Sequence, residues 1–553
     1  MMQTGRNMPN PRGAVCRGAT YRLNEKSYMK KFSTYACLAA MATAAIFATS
    51  CENDNINPYD YVNNNGNNNG QHNQGSTEAF KTAIAEYPQG ALVWTKDTTL
   101  TESVEIPIGT SLYIEPGVKV TCKSDVQVPI EIVVLGNLYC MGSAQKPIVF
   151  TSDTQKPESW GGIICGYKAE EVVLNHVEVA YAGTTPTESS VSFQNHLFKT
   201  TIDGGVPAFH FCNVNGKFVI ANCFFHDNYN DQTYFTGGKG IIINNIFADS
   251  GNAADGGEAI NVKAGCKLDI ANNLIYNACT NAFKLSNAGN SETIPLTEMT
   301  VYNNTMVNCG WRRSKNKKGG SVWVEKAAKP VFVNNLIYDC RYGLKQPKQD
   351  GADMEHSRLT PNYYYASTDI GVAQMAKGAN LGIWFDTDIK SSVAGQLNPL
   401  FKSFTQNENM NINCEIDKVE NGAPLAFNKA WDFALQTGSP ALTGGVTDVE
   451  RIFPNGLPFF GMKKVRKQAH ATPNIIANST ASPDTYKVPV TAGRRPYCGA
   501  ALTGRHSDDG RNILIPTSLN AGILSIKICI SIIPISAATT KAIIYIKTLQ
   551  NVF

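Results

Sequence analysis

From Asn303 the chain reads NNTMVNCGW, and from Asn334 it reads NNLIYDCRY. Paired asparagines, three residues of a short strand, a polar residue and a cysteine recur at the same offsets in successive segments. Aligned on the asparagine pair, four earlier segments fall into the same frame: EVVLNHVEVAY, FVIANCFFHDN, IIINNIFADSG and LDIANNLIYNA. The anchors His176, Asn222, Asn245, Asn273, Asn304 and Asn335 are separated by 46, 23, 28, 31 and 31 residues. The first interval is twice 23, which reads as one unit too degenerate to align. Units of this length, built from short alternating strands without helical periodicity, mark a solenoid. Each unit is then one coil of a parallel β-helix, stacked about 4.8 Å above the last, so that equivalent residues form ladders along the axis. An asparagine at one turn of every coil can bond its amide to the asparagines above and below. The residue five after the anchor is Ser250, Ala278, Cys309 or Cys340, a column of small side chains suited to an inward corner.

The bulk composition agrees with this. The chain has 553 residues, 43% of them hydrophobic and 17% charged, with a net charge of +4. A large core is therefore affordable, and a global field for nucleic acid is not expected. The fifteen cysteines lie far apart within apolar runs such as VPAFHFC and FVIANCFF, without CxxC spacing, and read as buried free thiols.

The stretches GTSLYIEPGVKV, IVVLGNLYCMGSAQKPIVFTS and WGGIICG resemble the opening coils of right-handed parallel β-helix proteins of the pectin-lyase-like superfamily. NPLFKSF, AWDFALQTGSPALTGG and YCGAAL resemble their closing coils, so the resemblance covers roughly residues 90 to 502. It implies an all-β, right-handed parallel β-helix solenoid. It leaves the reaction open, because the superfamily holds lyases, hydrolases and non-catalytic adhesins. Glu78 to Tyr87, with Phe80, Ala83, Ile84 and Tyr87 at helical spacing, reads as a short N-terminal capping helix.

The leader carries its own signal. From Met29 the chain reads MKKFSTYACLAAMATAAIFATSC: a basic start, an apolar stretch, then small residues before a cysteine. This resembles a bacterial lipoprotein signal with Cys51 as the lipidated residue, the alternative being a cleaved secretory signal with an incidental cysteine. Residues 1–28 read as an upstream extension and 29–50 as the signal. The Asn/Gly-rich stretch 51–77 reads as a flexible tether. Acidic residues directly after Cys51 resemble the surface-export signals of Bacteroidetes lipoproteins, which implies an outer-membrane lipoprotein facing outward. The solenoid domain then spans 78–502. Residues 503–553 form an apolar tail broken by Lys527, Pro534 and Lys541, short of the roughly 20 uninterrupted apolar residues of a spanning helix.

Several coils carry a further strand: PAFHFCN, EAINVKA, NAFKLSN, GSVWVEK and YGLKQPK. With Phe209, Ile260, Phe283, Val322 and Leu344 inward, alternation turns His210, Asn261, Lys284, Trp323 and Lys345 outward in one column. Such a column is either a glycan surface, with Trp323 for a sugar ring and Lys284 and Lys345 for acidic groups, or an ordinary solvated face. The loop GWRRSKNKKGG beside it, with Arg312 and Arg313, is either a solvated charge run or an anion-binding rim. An elimination chemistry would need a base, Lys284 or Lys345, and a cation to neutralise a uronate, Arg312 or Arg341. Asp255, Glu258 and Glu325 are scattered in sequence and form no calcium motif, so no metal or cofactor is expected. GADMEH and Tyr363 to Tyr365 fall in an insertion after the last clear repeat. The expected function is binding of an extended polymer, an acidic polysaccharide, by the lateral face. The alternatives are a polysaccharide lyase or glycoside hydrolase, and a structural adhesin contacting protein.

Overall fold

The computed structural model describes residues 87, 90–197, 205–251, 256–313, 319–404 and 426–459, and the backbone of three strands beyond residue 516. Among these, each coil lays down three short strands, one in each of three long sheets. The first sheet has nine strands, from Leu92–Trp94 to Val331–Val333, and the second ten, from Thr98–Leu100 to Tyr363–Tyr365. The third runs from Val104–Ile106 to Leu344–Lys345, and Leu381–Ile383 closes it as an antiparallel strand. All other neighbours in these sheets pair parallel, as in Phe283↔Val322 and Val322↔Leu344. The result is a right-handed parallel β-helix.

The two asparagines of each pair do different work. The first sits in the left-handed region: Asn222, Asn244, Asn272, Asn303 and Asn334 have φ between 55° and 58°, and His176 has φ 49°. Asparagine tolerates that conformation better than most side chains, so it supplies a sharp corner at low strain. The second builds the ladder. Amide bonds run Asn245 to Asn273, Asn273 to Asn304 and Asn304 to Asn335 at 2.9 Å, and Asn335 to Asn362 at 3.0 Å. Each accepting Oδ1 also takes the backbone N–H of the asparagine below, at 3.0 Å. Asp388 accepts the N–H of Asn362 at the upper end, and Cys223 donates its N–H to Asn245 at the lower end. A second corner repeats the device with Asp227, Asp249, Asn277, Asn308 and Asp339 at positive φ. Just past it, Ala278, Cys309 and Cys340 turn into the core. All nine described cysteines are free and buried.

Three expectations need correction. Asn175 pairs with Ala221 and Ala221 with Ile243, so His176 and Asn222 align with the first asparagine of the pair, one place before the ladder. The same pairing shows that no coil is hidden in the 46-residue interval. It is one coil enlarged between Val177–Ala180 and Phe209–Phe211 by an excursion that includes the helical turn Val191–Gln194. Tyr363 to Tyr365 are not in an insertion but form the next rung of the second sheet, on Leu336–Tyr338. The proposed cap at 78–87, apart from Tyr87, and the extension, signal and tether with Cys51 lie outside the described residues. Residues 502–553 form a separate unit, in which Thr517–Ala521, Leu524–Ser531 and Ile543–Thr548 pair antiparallel.

The interior is a continuous apolar stack that includes Ile132, Ile163, Phe209, Ile260, Phe283, Val322 and Leu344. Two of the three outer faces are also covered. Leu457 and Phe459, with the partly buried Val446, Val449 and Phe453, lie against Tyr139, Val219, Ile243 and Tyr302 of the first sheet. Asp269 holds this strap by accepting the N–H groups of Ile452 and Phe453 at 2.9 and 2.8 Å. Phe401, Phe433 and Ala441 likewise cover Phe224, Tyr276 and Tyr338 of the second sheet. Lys263, Lys284, Trp323, Glu325 and Lys345 gather on the third sheet.

Candidate functional site

The register of the third sheet places Val133, Ile164, His210, Tyr234, Asn261, Lys284, Trp323 and Lys345 in one outer column. Its lower part is apolar, with Val133 and Ile164 packed under Leu197 and Val206. Above His210 it becomes polar. There Tyr234, Lys284 and Trp323 are partly exposed, while side chains from neighbouring turns close in beneath them.

Two carboxyls form the floor. Asp231 accepts the N–H groups of Gly257 and Glu258 on Oδ1, at 2.8 and 2.9 Å, and Asn261 Nδ2 on Oδ2 at 2.8 Å. Glu258 Oε1 accepts Asn281 Nδ2 at 3.2 Å. Burial, and then the negative charge of Asp231, push the Glu258 carboxyl well above the usual range. Glu258 therefore keeps its proton near neutrality, two adjacent carboxylates being costly in a buried site. The Oδ1 atoms of Asn261 and Asn281, both buried, have no hydrogen-bond partner among the described residues.

Three lysines stand over this floor. Lys263 Nζ lies 3.8 Å from Glu325 Oε1 and 5.5 Å from the Tyr234 ring centre. Burial, then the positive charge of Lys284, bring it down to about 8. Lys284 lies 3.5 Å from the same carboxylate oxygen. Burial opposes its charge, but Glu258 and Glu325 outweigh that and raise it. Lys345 is buried, donates to the Gly319 carbonyl, and sits 4.8 Å from the Trp323 ring centre. Burial, then Arg341, lower it to about 7. Glu325 accepts Trp323 Nε1 at 2.6 Å. Although burial disfavours its charge, Lys284 and that hydrogen bond hold it below the usual carboxylate value.

The expected site residues thus divide. Lys284 and Trp323 are in the column and reach solvent. His210, Asn261 and Lys345 are in the column but only 1%, 4% and 1% exposed, so they do not form an open face. His210 Nε2 faces Thr236 Oγ1 at 3.2 Å, and burial lowers its pKa to about 3. Arg312 is not on a rim. It is buried and donates to the carbonyls of Gly251, Ser250 and Asn277 at 2.9, 2.7 and 2.9 Å, clamping three coils at the second corner. Arg341, the other expected neutraliser, is buried and donates to Arg313 O at 3.0 Å. Arg313 is half-buried beside the recess and donates to Gly256 O at 3.2 Å. The loop's lysines lie outside the described residues.

Sequence reasoning missed Tyr234, Asp231 and Lys263, and judged Glu258 and Glu325 scattered. Tyr234 was accessible to the alternation rule, since Thr233–Phe235 is a strand of the same sheet. Glu325 was equally accessible, two residues beyond Trp323 in the strand Gly320–Glu325; Asp231, Glu258 and Lys263 flank strands, and only the stacking of coils brings them together.

Three-sheet parallel coils with a polar recess on one lateral face define the chain as a right-handed β-helix protein. Residues 86–194 match the family model described as a pectate-lyase-like β-helix domain, and residues 185–359 match that of the right-handed β-helix region. The chain is a pectin-lyase-like right-handed β-helix protein. No curated protein and no solved structure matches it.

Proposed function

We propose that the outer face of the third sheet binds an extended polysaccharide laid along the helix axis. The observation that carries this reading is the partly exposed run Tyr234, Lys284 and Trp323 in one column, the first two separated by the coil of the buried Asn261 and the last two on successive coils. Coils stack about 4.8 Å apart, close to the advance of sugar units in an extended chain. Trp323 offers a flat apolar face with a polar edge, suited to stacking on a sugar ring. Lys284 supplies a partly exposed charge, shared with Glu325, for a carboxylate or sulfate, so the ligand is an acidic glycan. Cys51, in its lipobox-like setting, would anchor the protein by a lipid to the outer membrane, with residues 51–77 holding the β-helix away from the surface.

A second reading, that the site also cleaves the chain, is favoured by one observation. A protonated Glu258 and a readily deprotonated Lys263 lie in the same buried cluster and feel each other's charge, and an acid and a base with perturbed pKa values are what proton transfer needs near neutrality. Screening the protein on a glycan array and assaying each retained glycan for turnover tests both readings. Retention lost in Trp323→Ala with the fold intact supports the first, and release of shortened chains supports the second. A protein that retains no glycan refutes the assignment.

A further inference from the structure

The lateral cluster contains a feature that polymer binding does not require: two lysines from successive coils share one carboxylate oxygen, Lys284 at 3.5 Å and Lys263 at 3.8 Å from Glu325 Oε1. Lys284, the nearer of the two and with its pKa raised, keeps its ammonium against Glu325, so Lys263 is the one placed to shed its proton. Lys263 is also 9% exposed, beside the Tyr234 ring and a protonated Glu258. Two buried amide oxygens of the same cluster, Asn261 Oδ1 and Asn281 Oδ1, lack donors among the described residues. Orphaned acceptors at a buried site cost free energy that a ligand's hydroxyls would recover.

We propose that Lys263 is a nucleophilic amine that captures the carbonyl of a hydroxylated aldehyde, the class to which the open-chain reducing end of a sugar belongs. The Lys263 nitrogen forms the N–C bond, and a proton moves from nitrogen to the carbonyl oxygen, giving a carbinolamine. Glu258 then donates its proton to that hydroxyl, the C–O bond breaks, and water leaves. The products are an iminium on Lys263, placed near the Glu325 carboxylate, and an ionised Glu258. Amine, carbonyl and the one proton from Glu258 account for every atom, and no oxidant or reductant is consumed. An amine of pKa about 8 is about one-tenth uncharged at pH 7, whereas an ordinary lysine is uncharged in less than about one molecule in a thousand.

This deepens the glycan reading by naming the part of the sugar engaged, but its test needs no polymer. The full chain is incubated with glyceraldehyde and cyanoborohydride at pH 7, and the reduced adducts are mapped by peptide mass spectrometry. Lys263 should label at least about tenfold faster than the exposed Lys96 and Lys156. Lys284→Met should slow Lys263 labelling several-fold, because losing the neighbouring charge returns Lys263 toward its ordinary pKa. Lys263→Arg should remove the fast site, with circular dichroism unchanged. Labelling of Lys263 no faster than the surface lysines, or insensitive to Lys284→Met, overturns the proposal. Fast labelling in a protein that retains no glycan refutes polymer binding and leaves the amine site standing.

Discussion

Asn304→Leu separates the two roles assigned to the asparagine pair. Asn304 is fully buried. Its Oδ1 accepts both the N–H and the Nδ2 of Asn273, and its own Nδ2 donates to Ile270 O, Tyr302 O and Asn335 Oδ1. Leucine removes all five interactions, but their costs differ. Asn273 Nδ2 keeps Ile242 O at 3.0 Å, and Asn335 Oδ1 keeps the N–H of residue 304. The Asn273 N–H loses its acceptor outright, and a buried unsatisfied donor costs about 1–3 kcal/mol. Two carbonyls left with fewer donors add to this, while the extra buried apolar surface of leucine offsets a part. The expected net loss is about 2 kcal/mol, an order-of-magnitude figure, read as a lower denaturant midpoint with unchanged slope. The neighbouring Asn303→Gly provides the contrast. Asn303 has φ 56°, a conformation glycine adopts without strain, and its Oδ1 has no partner among the described residues, so stability should hold or rise slightly. Equal effects of the two substitutions, or an unchanged midpoint for Asn304→Leu, would refute the division of labour.

Other substitutions probe the remaining assignments. Arg312→Met should destabilise the fold, because three coil carbonyls lose a charged donor, and should leave the salt dependence of glycan retention unchanged; thermal melts and retention across a salt series measure the two. Lys284→Ala should weaken retention more at low salt than at high salt, since attraction between exposed charges is screened over about 10 Å at 0.1 M. The Glu258 pKa is raised in the folded state, so its proton favours folding at low pH. That contribution is lost as pH rises from the ordinary carboxylate value through the folded one, and Glu258→Gln should therefore flatten the fall in stability across this window in pH-dependent unfolding. Cys51→Ala should abolish partition with the outer membrane, because the thiol is the acylated group and stable anchoring depends on buried acyl chains.

The coil architecture was legible because the corner chemistry is strict: a left-handed asparagine, a ladder asparagine, three strand residues, a second left-handed polar residue, then a small inward one. It blurred where the ladder changes residue type. Below Asn245 the ladder position is taken by Cys223, which gives Asn245 its backbone N–H and donates its thiol to Leu174 O and Ala221 O, so alignment on asparagine slipped by one place. Above Asn335 the next ladder residue, Asn362, was hidden because residues 346–361 run outside the repeat frame. The site was legible as a column, since alternation alone orders Lys284 beside Trp323. Its depth was not. Whether Lys345 or Arg312 faces water depends on neighbouring coils and turns, which period-two alternation does not encode. The Asp231–Glu258 pair is likewise invisible in a linear reading, because 27 residues separate two side chains that one step of the stack brings together.

Hydrogen exchange with and without a retained acidic glycan tests the central claim most directly. Binding along the third sheet predicts slower exchange in peptides covering 256–265, 281–287 and 320–326, with little change in those covering 446–459 or 426–442, which pack on the other two faces. Slowed exchange confined to those covering segments, with the third sheet unaltered, would contradict it.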